Sequence, residues 1–216
     1  MDGITLQDRI YNGYGKAAAA IGMECDLFRP KGPSHPLASE HRIMRLRAAF
    51  LPIGGRIRRP VPQSDAHWEG IFDAAYAKAG DILCRRDDNA VFFVAAKQPL
   101  LPVLCVHAMR VITISRPASA NAAGLNVYGG AVSALDTILA EAWPASLQIT
   151  AGGGTASAGI QSELTPSSWE ILLPASLRLA LQIGDIVTDD EGRTGIVSIA
   201  ETSDQGTRLT VKQAST

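Results

Sequence analysis

The side chains that could do chemistry in this 216-residue chain are few and scattered. Four histidines, His35, His41, His67 and His107, share no metal-ligand spacing, and none follows a strand-turn elbow that would expose a nucleophile. Two acidic pairs, Asp87-Asp88 and Asp189-Asp190, have the composition of a cation site or a carboxylate dyad. Each pair, however, sits between β-rich runs where Asp favours a turn by bonding to its own backbone. Asp81 and Asp185, each after a glycine and before a β-branched residue, read as turn residues too. Only a convergence of His67, His107 and the turn aspartates in one cleft would make an enzyme, so no catalytic residue is assigned.

Cofactor chemistry fares no better. Gly13-Tyr14-Gly15-Lys16-Ala17-Ala18 imitates a dinucleotide loop but lies inside a helical pattern with no strand before it. Gly152-Gly153-Gly154 lacks the Lys-Ser/Thr of a phosphate loop and reads as a linker. Cys25, Cys84 and Cys105 are odd in number and widely spaced, which fits buried thiols rather than disulfides or paired metal ligands. Trp68, Trp143 and Trp169 lack interleaved basic residues and read as core anchors. No cofactor and no metal is expected.

Charge is the stronger signal. The net charge is −1, yet from Arg29 to Arg59 eight basic residues stand against one acidic residue, a surplus of seven. Arg42, Arg45, Arg47, Arg56, Arg58 and Arg59 are the candidates for facing DNA or an acidic partner. Pro30, Pro33 and Pro36 break regular structure nearby, so the stretch 29–65 reads as an extended basic arm.

The elements that must position these residues read as mainly β. Residues 80–96 and 184–200 repeat one phrase at a single offset: Gly80-Asp81-Ile82-Leu83 with Asp87-Asp88 and Val91 to Ala96, then Gly184-Asp185-Ile186-Val187 with Asp189-Asp190 and Gly195 to Ala200. Trp68-Glu69 and Trp169-Glu170 precede the two copies, with a gap of three. A strand, Gly-Asp turn, strand, acidic turn, strand module used twice predicts small antiparallel barrels or sandwiches in two related copies. The expected parts are an N-terminal helix and short strand (1–28), the basic arm (29–65), a first β module (66–117), a Gly/Ala-rich excursion (118–168) with one strand or short helix near Ser133 to Trp143, and a second β module (169–216). Thr5 with Asp8 three residues on suggests the helix cap. No apolar run is long enough to span a bilayer, and no basic-then-apolar leader opens the sequence, which predicts cytoplasmic synthesis.

Trp169-Glu-Ile-Leu-Leu-Pro174, Gln182 to Arg193 and Ile196 to Ala200 resemble the small β-barrel head–tail joining and head-closure proteins of tailed bacteriophages. Leu6 to Tyr11, Phe92 to Pro102, Tyr128-Gly129-Gly130 and Trp143 to Ser146 are similar to phage and prophage structural proteins. The barrel resemblance covers the last quarter of the chain, the looser one most of it. It implies a non-enzymatic virion component of the neck, forming a homo-oligomeric ring that joins portal and tail, with non-specific contact to packaged DNA and no membrane. A tail or baseplate protein, or a cytoplasmic binding module with two SH3-like barrels, is the alternative.

Overall fold

A computed structural model of the chain describes residues 2–53, 66–117, 136–150 and 168–213. Helix α1 (Gly3–Ile21) opens the fold, and its cap is Asp2 rather than Thr5: the Asp2 carboxylate accepts the Thr5 N–H at 2.7 Å. Gly13 and Gly15 lie within α1, as the helical pattern requires.

Strands β1 (Met23–Phe28), β2 (Arg42–Pro52), β3 (His67–Ile71), β4 (Ile82–Arg85), β5 (Val91–Ala96) and β6 (Val103–Ala108) close an antiparallel barrel in the order β1-β2-β3-β6-β5-β4. A second barrel follows after Met109. Its strands β7 (Arg110–Arg116), β8 (Thr137–Thr150), β9 (Ser168–Leu173), β10 (Ile186–Asp189), β11 (Thr194–Ser203) and β12 (Gly206–Gln213) close in the order β7-β8-β9-β12-β11-β10. Adding six to each strand number of the first barrel reproduces the second, so the chain is one barrel used twice.

The duplication extends to details of register. A bulge interrupts β5 between Val94 and Ala96 and β11 between Val197 and Ile199, at matching ladder positions. Leu83 pairs with Phe92 and Val187 with Gly195, which puts the first strand of each hairpin at an offset of 104 and the second at 103. The gapless repeat therefore slips by one residue at the acidic turn, because the turn of the second barrel is one residue shorter. Ile196 matches Phe93, not Phe92.

The division of the chain into parts also changes. The first barrel recruits β1 and β2, so the basic stretch from Arg42 to Pro52 is barrel strand, not free arm; Ile43, Met44, Leu46 and Phe50 supply enough apolar and β-branched character to pair once the prolines have been passed. β7 belongs to the second barrel, and β8 brings Trp143 and Leu147 of the supposed excursion into its core. Arg56, Arg58 and Arg59, the stretch Tyr128-Gly129-Gly130 and Gly152 to Gly154 lie outside the described residues.

Alternation along β5 explains its unbroken apolar run. Phe92 and Val94 fill the first barrel with Cys25, Leu27 and Cys105, whereas Phe93 and Ala95 join a second cluster built mostly from the other barrel, with Trp143, Trp169 and Leu173. A strand buried on both faces needs apolar residues at every position. Inside the barrels, volume is exchanged between matching sites. Phe92 stacks on Phe50 at 3.7 Å between ring centroids, while at the matching Gly195 a Cβ would strike Val211 and crowd Trp169.

Candidate functional site

Each barrel begins its Gly-Asp turn with the same clamp. Gly80 and Gly184 take positive φ values of 87° and 95°, which turn the chain so that the next residue, Asp81 or Asp185, points inward. Arg29, just after β1, donates Nε to Asp81 Oδ1 at 2.8 Å and Nη2 to Oδ2 at 2.7 Å, and also reaches the Tyr76 carbonyl. Arg116, at the end of β7, does the same to Asp185 at 2.7 and 2.9 Å and reaches the Ala180 carbonyl. The Lys78 and Gln182 N–H groups complete the two carboxylates. Burial raises the Asp185 carboxyl, but the Arg116 and Gln182 hydrogen bonds outweigh it and hold the group below its ordinary range. These aspartates are thus more than turn residues. Their partners, an arginine closing the first strand of each barrel (Leu27-Phe28-Arg29 and Ile114-Ser115-Arg116), carry no local signal in the sequence, because they lie 52 and 69 residues from the aspartates they hold.

The acidic turns are local ion pairs. Arg85 holds Asp88 and Asp87, and Arg193 holds Asp189 while lying over the Trp169 ring at 5.6 Å. His67 and His107 lie on opposite faces of the β3–β6 pair: His67 looks into a cavity between the barrels, and His107 stacks on Phe92 at 4.7 Å. Desolvation, and then the Arg85 charge, lower the His107 pKa and favour its neutral form. Cys25 and Cys105 are buried free thiols, and burial pushes Cys25 up to about 12, far from a reactive thiolate. Among the described residues no cluster of three His, Cys, Asp or Glu could hold a metal.

The basic candidates on β2 are already engaged. Arg45 and Arg42 pair with Asp26 on the neighbouring β1, the first at 3.0 Å and the second at 3.8 Å. Arg47 donates to the carbonyls of Ala19 and Gly22 and so caps the C-terminal end of α1, where a cation meets the negative end of the helix dipole. A strand that carries its arginines on the barrel exterior finds partners that a free arm would not have. Cations that face outward elsewhere include Lys31, Lys78 and Arg178, which are exposed and form no ion pair among the described residues. Together with Arg29 they line a cleft of about 520 Å³ between the barrels, whose one carboxylate, Asp81, is held by Arg29. Such a concave positive surface concentrates anions.

Comparison with known protein families, curated proteins and solved structures gave no match. The reading of the site therefore rests on its own geometry.

The cleft is one part of a broad contact between the barrels. Residues 33–35 run beside β8, where His35 N–H donates to the Glu141 carbonyl and Glu141 N–H to that of Pro33, both at 3.0 Å. The Trp143 indole N–H also donates to the Pro33 carbonyl. Ser176 Oγ donates to the Gly80 carbonyl at 2.7 Å. Farther along, His67, Phe93 and Val106 of the first barrel face Glu170, Leu172 and Arg208 of the second across a cavity of about 240 Å³. The arrangement holds two like barrels in a fixed pose with a basic groove at their seam.

Proposed function

We propose that the protein is a non-enzymatic structural component of a tailed-bacteriophage virion, a ring subunit of the neck that joins portal and tail. The observation that carries this reading is the duplication: one barrel used twice and docked face to face is a unit suited to repetition around an axis. The resemblance of the strands around Trp169 and Gly184 to joining and head-closure barrels supports the same reading. In it, the polyanion or acidic partner is met at the seam by Lys31, Lys78 and Arg178, a reassignment from the β2 arginines that already have intramolecular partners. Tail or baseplate placement is the nearest variant.

The test is to mix the purified protein with purified portal and follow mass by light scattering and shape by electron microscopy. Rings seated on the portal are the expected outcome. A monomer indifferent to portal would favour the second reading, a soluble binding module, for which the basic cleft is the specific observation; that module would bind a short acidic peptide or oligonucleotide with an affinity that falls as salt rises.

A further inference from the structure

We propose that the outer face of β10 and β11 is a docking surface for a second copy of this chain, which receives it beside Glu69 in the first barrel. The inference deepens the ring reading and rests on it, naming the surfaces through which copies would join.

The argument starts from what the matching face of the first barrel does. Gly80, Ile82 and Phe93 all meet the second barrel: Gly80 is bonded to Ser176, and Ile82 and Phe93 lie in the shared core, each no more than 1% exposed, while Ala79 lines the mouth of the seam cleft. Their equivalents, by the turn geometry and ladder register above, are Ile183, Gly184, Ile186 and Ile196. Of these, Ile183 and Ile196 are exposed, and Gly184 and Ile186 are only partly buried. Ile183 is 78% exposed and Ile196 47%, Ile199 beside them is 51% exposed, and a Cβ on Gly184 would meet nothing within 4 Å, whereas one on Gly80 would collide with the Ser176 backbone. Three exposed isoleucines on one side of a small barrel carry a solvation cost that a partner removes.

The receiving surface is duplicated as well. In the second barrel, Phe93 and Ala95 enter beside Glu170 and the hairpin joining β11 to β12. In the first barrel, the corresponding place beside Glu69 and the hairpin joining β5 to β6 is an open depression of about 220 Å³, lined by Ile53, Ala96, Leu101, Pro102 and Leu104. Ile53 and Leu101 are about half exposed. Helix α1 borders it, with Gln7 accepting the Leu100 N–H. Among the described residues, the chain therefore carries one filled knob and socket at its centre and an unfilled knob and unfilled socket on its two barrels. Joining the free pair repeats the internal contact from copy to copy, a head-to-tail arrangement that closes into a ring when the rotation permits.

Two double variants test this by sedimentation over a concentration series: Ile196→Asp with Ile199→Asp to spoil the knob, and Ile53→Asp with Leu101→Asp to spoil the socket. All four positions are exposed, so far-UV circular dichroism and the melting temperature are expected to match wild type; where they do not, the serine pairs replace the aspartates. Wild type gains mass with concentration, each double variant stays at the mass of one chain, and an equimolar mixture of the two stops at the dimer, because one intact knob and one intact socket remain. Wild type that stays monomeric throughout, a knob variant that assembles like wild type, or a mixture that fails to dimerise overturns the proposal. A monomer that still seats on portal overturns these surfaces while leaving the neck reading standing.

Discussion

Asp81 is a buried carboxylate with three described donors, two from Arg29 and one from the Lys78 backbone, and its removal strands a guanidinium at the seam. The Val94 N–H also donates to the Asp81 main-chain carbonyl at 2.8 Å, so the residue ties strand β5 to the turn as well. Asp81→Ala leaves Arg29 without its counter-charge in a partly buried place, and we expect a loss of about 3 kcal/mol, the low end for breaking a buried pair because the guanidinium keeps some solvent. Urea unfolding at neutral pH measures it. In the second barrel the same physics appears as acid sensitivity. Burial raises Asp189, but hydrogen bonds from the Arg193 side chain and backbone outweigh it and leave its folded pKa below the ordinary 3.8. The unfolded chain therefore takes up the proton first as pH falls. The stability contributed by this group is complete above about pH 4 and is lost as pH drops through the folded value. Asp189→Asn is expected to be less stable than wild type at neutral pH and to show a flatter decline between pH 5 and 2.5; an unchanged slope would remove Asp189 from the acid response.

Gly80 and Gly184 form an internal control at the level of the turn. Both have positive φ, so alanine strains either one by roughly 1–2 kcal/mol. Only at Gly80 would the added methyl collide with the Ser176 backbone. Gly80→Ala is thus expected to cost clearly more than Gly184→Ala in thermal unfolding, and equal costs would mean that the seam yields without resistance. The same pair shows what the sequence makes legible. Glycine before aspartate, β-branched runs and short turn spacing identify the duplicated hairpins, because those signals act over a few residues. Locally, β1 reads only as a short strand beside the helix, β2 as part of an arm and β7 as part of the first module, because barrel closure depends on partners such as Leu27 with Leu83 and Ile114 with Val187, more than 50 residues apart. The seam cleft was hidden for the same reason: Lys31, Lys78 and Arg178 come from three distant segments, and no local pattern joins them.

The whole molecule is coupled through β5 and β6, whose two faces serve different cores. Losing the interior of the first barrel withdraws Phe92, Val94 and Cys105, and with them the same strands that place Phe93, Ala95 and Val106 against the second barrel. Two barrels of this kind should unfold together, even though chains of this length commonly unfold domain by domain. Trp68→Phe removes the tryptophan of the first barrel, so the remaining fluorescence comes from Trp143 and Trp169 in the second, while far-UV circular dichroism reports on both. We expect the two signals to share one urea midpoint in this background. Adding Phe93→Ser takes the more deeply buried first-barrel phenylalanine out of the shared core, at about 3–5 kcal/mol for an aromatic deletion, and leaves a hydroxyl in an apolar place. The dichroism midpoint should then fall below the fluorescence midpoint, as the first barrel melts ahead of the second. If the midpoints still coincide, the coupling resides instead in the hydrogen bonds of Pro33, His35 and Ser176 across the seam, since those contacts survive the loss of Phe93.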